Sequence, residues 1–198
     1  MIGIINYGIG NIGSLKNALK SISVPVMVSN DSAELSQCSG LILPGVGAFG
    51  AAMAKLNNLD LSDFIRHWSL KNKPLLGICL GMQLLLTSSE EKGQHQGLDI
   101  ISGKVVAIPP APRTIHIGWN QVQPQKENKL IQNNGYAYFV HSFSCLPENE
   151  EVISSTVHYG DTIIASVMKD QTFGVQFHPE KSQHYGLEIL KRFTHGLI

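Results

Sequence analysis

Apolar residues in the first half of the chain come in short unbroken blocks, each followed by a stretch with helical periodicity. Ile2–Ile5 predicts a buried strand, and residues 12–22 predict the helix after it. Residues 24–28 predict a second strand, Asp31 or Ser32 caps a helix over 33–38, and 41–43 predict a third strand. That strand runs into a glycine-rich loop, Pro44-Gly45-Val46-Gly47-Ala48-Phe49-Gly50. Helical stretches over 51–56 and 61–71 follow, then an apolar block that ends at Cys79 and a helix over 80–86. Strands that are apolar at every position and alternate with helices predict a parallel sheet covered on both faces.

The texture changes after Ser88. Residues 90–97 are polar and predict a loop. Strand-like pieces with turn signals between them then cover 98–108, 114–122, 137–145, 152–158, 162–168 and 172–177. Several of these must run antiparallel, which predicts a mixed sheet or a small second sheet. Pro109-Pro110-Ala111-Pro112 reads as a stiff connector and not as a domain linker, because apolar strands continue beyond it. A helix over 182–193 closes the chain, with Tyr185, Leu187, Ile189 and Leu190 as candidate core residues. The expected fold class is α/β: an open, mostly parallel sheet with helices on both faces and an antiparallel or mixed section in the second half. The expected organisation is one domain over residues 1–198.

Composition narrows the function classes. The chain is 43% hydrophobic and 15% charged, with no net charge and a pI near 7.1, so no basic footprint points to nucleic acid or to an anionic membrane. The longest apolar stretch is too short to span a bilayer, and Met1-Ile2-Gly3-Ile4-Ile5-Asn6 reads as a first strand and not as a signal peptide. Cys38, Cys79 and Cys145 are odd in number and form no C-x-x-C, which fits a reduced, cytoplasmic protein without a disulfide frame or a metal site.

The strongest chemical signal lies in Gly77-Ile78-Cys79-Leu80-Gly81-Met82-Gln83. A strand ends in a cysteine, a helix starts at once, and a glycine sits two positions to either side. This is the spacing of a nucleophile elbow with cysteine in place of serine. A turn that tight strains the residue at its tip, and small neighbours keep the flanking chain clear of it. The cysteine then sits at a helix N-terminus, which favours thiolate over thiol. The bland alternative is an ordinary buried cysteine.

A nucleophilic cysteine needs a base, and the base needs orienting. Of the eight histidines, His67, His95, His184 and His195 have no organised partner. His178 ends a predicted strand and is followed by Pro179 and Glu180. In extended chain, residues two apart face the same way, so Glu180 can take one ring nitrogen while the other faces Cys79. Strand ends of open α/β sheets are also where such sites lie.

Together, the elbow and Phe177-His178-Pro179-Glu180 resemble the class I, triad-type glutamine amidotransferases, whose pattern is G-x-C-x-G-x-Q followed by F-H-P-E. Both motifs match in order, and the resemblance spans almost the whole chain. It implies a glutaminase without a cofactor: Cys79 attacks the side-chain amide of L-glutamine, His178 acts as base and then acid, and Glu180 orients His178. It further implies oxyanion donors at Leu80 and in the loop around Val46 and Gly47, and substrate contacts at Gln83, Gly45, His141, Ser142 and Phe143. Three more stretches, Asn6-Tyr7-Gly8-Ile9-Gly10-Asn11, Pro44-Gly45-Val46-Gly47-Ala48-Phe49 and Tyr138-Phe139-Val140-His141-Ser142-Phe143, together with His116-Ile117-Gly118-Trp119-Asn120 and Lys181, look like the glutaminase subunits of imidazole glycerol phosphate synthases. That likeness implies a (β/α)8 cyclase subunit as partner, faced by Asn11, Trp119 and Lys181. Glutaminases of anthranilate synthase and pyridoxal phosphate synthase are the alternatives within the family. From another class, Gly8-Ile9-Gly10-Asn11-Ile12-Gly13 spells a dinucleotide fingerprint with Asp31 downstream. Asn6-Tyr7 separates it from the strand, and it leaves the elbow and His178 idle.

Overall fold

A strand that is apolar on both faces needs cover on both, and the chain supplies that cover from two separate sets of elements. The computed structural model describes residues 1–108, 114–126 and 128–196. The first half contains β1 (Ile2–Ile5), α1 (Ile12–Ser21), β2 (Val26–Ser29), α2 (Ser32–Ser36), β3 (Gly40–Leu43), α3 (Phe49–Asn58), α4 (Leu61–Leu70), β4 (Leu75–Ile78) and α5 (Leu80–Leu84). The second half contains β5 (Leu86–Ser89), β6 (His95–Gln96), β7 (Ile101–Ala107), β8 (His116–Pro124), β9 (Gly135–His141), β10 (Phe143–Pro147), β11 (Ile153–Tyr159), β12 (Asp161–Lys169), β13 (Thr172–Val175) and α6 (Gln183–His195).

Nine strands form one sheet in the order β2-β1-β3-β4-β13-β12-β11-β8-β9. Pairs from β2 to β13 are parallel, and those from β13 to β9 are antiparallel. A four-stranded mixed sheet, β10-β7-β5-β6, packs beside it. The α1 and α6 side chains Leu15, Leu19, Ile189, Leu190 and Phe193 share one core with Ile2, Ile4, Leu76 and Ile78. The opposite core joins Leu41, Leu43 and Leu75 to α3, α4 and α5 and to Leu86, Ile101 and Val105 of the second sheet. The mixed sheet and the small second sheet, expected as alternatives, are both present.

Three expectations are corrected. The helix after the elbow ends at Leu84 and not at residue 86, because N–H groups of Leu98, Ile100 and Asp99 take the carbonyls of Leu84, Leu85 and Leu86. The polar segment 90–97 carries β6, paired to β5 through Ser89 and His95. The single strand expected over 137–145 is two strands in different sheets, broken at Ser142. The connector Pro109-Pro110-Ala111-Pro112 lies outside the described residues. In α6, Ile189 and Leu190 are fully buried, and Tyr185 and Leu187 pack against the core from partly buried positions.

Because β1 lies between β2 and β3, the winding direction reverses there, and the loops after β1 and β3 meet at the carboxyl edge of the sheet. Tyr7 donates its hydroxyl to the Pro44 carbonyl at 2.7 Å, and Gly10, at φ 127°, has no side chain to strike the Pro44 ring. The ends of β4 and β13 open onto the same edge.

Candidate active site

Cys79 has φ 55° and ψ −110°, a conformation that side-chain-bearing residues rarely adopt. The elbow glycines explain how it is held. A Cβ on Gly77 would come within 2.6 Å of the Gly81 carbonyl oxygen, and one on Gly81 would run into the Leu43 carbonyl. Neither glycine needs a left-handed backbone; both need the space. Cys79 N–H donates to Val175 at 2.8 Å, which ties the elbow to the strand that leads to His178.

His178 and Glu180 are both buried, with side chains 3% and 4% exposed, and His178 Nδ1 lies 2.8 Å from Glu180 Oε1. Extended chain carries the backbone only as far as His178, at φ −98° and ψ 98°. Pro179–Lys181 is a 3₁₀ turn, so the carboxylate reaches the ring by curling back and not along a strand. Ser182 locks this turn: its hydroxyl donates to the His178 carbonyl at 2.6 Å and accepts from Tyr138 N–H at 2.9 Å. Burial alone would lower the His178 pKa, but the sulfur of Cys79 and the carboxylate of Glu180 outweigh it and raise it to about 9. The ring is therefore a stronger base than an ordinary histidine. Nδ1 being taken by Glu180, Nε2 is the nitrogen left to act on the Cys79 sulfur and on reacting groups; it has no other partner in the protein.

Cys79 and Leu80 lie at the wall of a cleft of about 610 Å³, with Val46, Gly47 and Ala48 on one side and Val140, His141, Ser142 and Phe143 on the other. The predicted oxyanion residues Leu80, Val46 and Gly47 thus share one space with the cysteine. Gly45 stands behind it, where a Cβ would press within 2.7 Å of the Tyr7 hydroxyl. Gln83 lines the cleft and donates its amide nitrogen to Phe143 O and to Gln176 Oε1, both at 3.0 Å. Another depression, of about 340 Å³, lies at the amino ends of β4 and β13, remote from Cys79. Its cations Arg66 and Lys169 are already engaged with the carbonyls of Leu98 and Ile100.

His141 is a correction in detail. Its Nδ1 lies 2.8 Å from Phe143 O and its Nε2 2.9 Å from His116 Nδ1, so no ring nitrogen remains for a substrate. Burial pushes both His116 and His141 down to about 4. The pair is a neutral brace under the cleft wall. Sequence reasoning missed His116 in this role, as well as Gln176, Glu91 and Lys92. Glu91 and Lys92 are the cleft's carboxylate and ammonium among the described residues, and Glu91 also accepts from Phe49 N–H at 2.7 Å at the start of α3. Nothing in a polar loop announces such a placement.

The remaining predicted residues sit outside the cleft. Trp119 is 47% exposed, edge-on to Tyr138, and Lys181 Nζ lies 5.8 Å from the Tyr138 ring centre. Asn11 caps α1 by accepting from Ser14 N–H at 3.2 Å. That cap fills the helix end where a dinucleotide's pyrophosphate would sit, and Gly10 is engaged against Pro44, so the fingerprint loop has a packing role. No group of three or more His, Cys, Asp or Glu suited to a metal ion gathers among the described residues.

A cysteine on a strained elbow, with a buried histidine–carboxylate pair at the next strand end, defines a triad-type hydrolase site. The chain belongs to the glutamine amidotransferases: the family model "Glutamine amidotransferase class-I" matches residues 3–197. Within that family it is similar to imidazole glycerol phosphate synthase subunit HisH of Aquifex aeolicus, 44% identical over 96% of this chain and 94% of the relative. The subunit of the same name from Moorella thermoacetica is 46% identical over 97% of this chain and 93% of the relative. Among solved structures, a glutamine amidotransferase superposes with a TM-score of 0.78 at 18% identity, covering 97% of this chain and 98% of its own. PurLQS from Thermotoga maritima gives 0.76 at 16% identity, covering 100% and 98%. These structures share the fold.

Proposed function

We propose that residues 1–198 act as one glutaminase domain, the subunit of an imidazole glycerol phosphate synthase that hydrolyses glutamine and hands ammonia to a cyclase subunit in histidine biosynthesis. The observation that carries this reading is the buried pair of His178 Nδ1 and Glu180 Oε1 at 2.8 Å, with the His178 ring close enough to the Cys79 sulfur for the sulfur to raise its pKa.

With its pKa raised to about 9 by the Cys79 sulfur and Glu180, His178 is a strong enough base to take the Cys79 proton and hold it for the leaving group. The Cys79 sulfur adds to the side-chain amide carbon of glutamine, and the oxygen takes up negative charge. N–H groups of Leu80 and of the Val46–Gly47 segment bind that oxygen; one such donor is worth roughly a hundred- to a thousand-fold in rate. His178 Nε2 gives its proton to the departing nitrogen, the C–N bond breaks, and a thioester and ammonia result. Neutral His178 then takes a proton from water, whose oxygen attacks the thioester and releases glutamate. Glu180 orients the His178 ring throughout and stabilises it whenever it carries the proton. The substrate's α-ammonium pairs with Glu91, and its α-carboxylate meets Lys92 and the backbone of 140–143. With both amide hydrogens of Gln83 engaged, its oxygen is the atom left for substrate.

Ammonia released to water at neutral pH is protonated and lost as a nucleophile, so the reaction calls for a docked acceptor enzyme. Ile115, Ile117, Trp119 and Tyr136 are exposed apolar residues on one rim, and Lys181 lies beside them. This is the surface proposed for the (β/α)8 cyclase subunit in a heterodimer, with Asn11 at its edge. No helix among the described residues is long and apolar enough to cross a membrane, and three unpaired cysteines suit the cytoplasm.

The test is ammonia release from glutamine by wild type and Cys79→Ala, each with and without a cyclase subunit carrying its ribotide ligand. Release that is stimulated in wild type and absent in Cys79→Ala is expected. Equal release by both proteins, or none from wild type under any condition, would overturn the reading.

A further inference from the structure

The strand that leads to His178 also leads to Gln176, a residue the chemistry above leaves unused. Gln176 is completely buried, so each polar atom of its amide needs a partner. Oε1 lies 3.0 Å from Gln83 Nε2, and Nε2 lies 3.8 Å from Cys79 Sγ. Which end of an amide is nitrogen has to follow from its surroundings. Here the surroundings decide it, because the chain begins at an atom that can only accept. The Phe143 carbonyl oxygen, 3.0 Å from the Gln83 amide, requires nitrogen there. That nitrogen's second hydrogen requires oxygen at Gln176, and Gln176 is left with its N–H facing the sulfur. The same carbonyl fixes the hydrogen of His141 on Nδ1, 2.8 Å away.

The titratable groups His178, Tyr7 and Cys145 face the sulfur, and beside them two neutral polar atoms favour opposite protonation states. The Val140 carbonyl, 3.9 Å from Sγ, can only accept, so it favours the thiol. The Gln176 amide presents a donor, so it favours the thiolate. We propose that Gln176 is a catalytic residue of this site, donating an Nε2 hydrogen to the Cys79 sulfur and holding it as thiolate against the pull of the Val140 carbonyl. The inference rests on Cys79 being the glutaminase nucleophile. The contact also sets direction: with one flank of the sulfur held by Gln176, its reactive lone pair is turned to the cleft.

The pH dependence of Cys79 alkylation by iodoacetamide, read by mass spectrometry, reports the thiolate without requiring turnover. Two variants separate the roles of the amide. Gln176→Glu keeps an acceptor for Gln83 but turns negative oxygen toward the sulfur, and Gln176→Leu removes both functions at similar size. Alkylation at pH 7 should fall about tenfold or more in each, as for one lost hydrogen bond to a charged atom, with the profile displaced to higher pH and farther in Gln176→Glu. Profiles that superimpose on wild type, in variants whose melting is cooperative, would overturn the proposal. A measurement on wild type guards against variants that fail to fold. The side-chain amide resonances of Gln176 should titrate with the thiolate and stop titrating in Cys79→Ala; resonances that never move would equally overturn it. Ammonia release in the same samples keeps the two readings apart. Displaced profiles with no glutaminase activity in wild type would leave this contact standing and remove the proposed function. Superimposed profiles with normal wild-type activity would do the reverse.

Discussion

His178 and the His116–His141 pair show how one residue type is driven in opposite directions within one site. Burial lowers all three, yet His178 gains Cys79 and Glu180 and rises to about 9, while the other two stay near 4. The stability linked to each follows from proton counting. His178 binds its proton more tightly folded than unfolded, so its contribution is complete below its ordinary 6.5 and is lost as pH rises through about 9. His116 and His141 bind protons less tightly folded, so stability is lost as pH falls from 6.5 toward about 4. The urea midpoint should therefore peak near neutrality and decline on both sides. In Glu180→Gln the alkaline decline should shrink and the acid limb should stay, while stimulated glutaminase activity drops roughly a thousand- to ten-thousand-fold. An alkaline limb unchanged in that variant would contradict the assignment. Of these residues, Cys79, His178 and Glu180 were legible because motif spacing places them. Gln176 and His116 were not, because their importance lies in partners 97 and 25 positions away.

At the scale of elements, the elbow and the crossover at Ser142 determine the cleft. The elbow works because backbone atoms of β3, β4 and α5 approach closely, and this makes Gly81 the less replaceable of the two elbow glycines. Gly81→Ala places a methyl group against the Leu43 carbonyl, a fixed atom that cannot swing away. It should cost about 3 kcal/mol or more, seen as a melting temperature lower by roughly 10 °C, and should abolish activity. A Gly81→Ala protein that melts like wild type would show that the elbow has more room than its glycines imply. The crossover was hidden in the sequence because residues 137–145 contain no glycine or proline to mark a break. What breaks the strand is competition for hydrogen bonds: His141 and Gln83 both claim the Phe143 carbonyl, and Ile108 N–H takes that of Ser142. The early end of α5 has the same kind of cause, carbonyls taken by residues 97–101. Pattern reasoning sees apolar faces; it does not see which distant N–H wins a carbonyl.

On the scale of the whole molecule, the long sheet divides labour. Its parallel half carries the elbow and the turns around it, and its antiparallel half ends in β8 and β9, which present an apolar face to solvent. Register puts Trp119 opposite Tyr138 and Ile117 opposite Val140, and the Val140 carbonyl meets the Cys79 sulfur. One strand thus joins the proposed docking face to the nucleophile. Trp119→Ala should weaken binding of the cyclase subunit by about 2 kcal/mol, near thirtyfold in Kd, as for a buried aromatic anchor. The fold and the unstimulated alkylation of Cys79 should stay unchanged. Calorimetric titration showing equal affinity would move the interface elsewhere.

Local chemistry by itself determined much of this protein. Unbroken apolar strands demanded a two-sided parallel sheet, paired glycines demanded a tight elbow, and a histidine followed by proline and glutamate demanded a turn at a strand end. Each of these is written in neighbouring residues, where steric and hydrogen-bonding rules act over a few positions. Tertiary structure decided the rest: the donor aimed at the Cys79 sulfur, the neutral imidazole brace, the split at Ser142 and the early end of α5. All four depend on which of several available partners satisfies a buried polar atom, and that choice exists only once strands far apart in sequence are packed together.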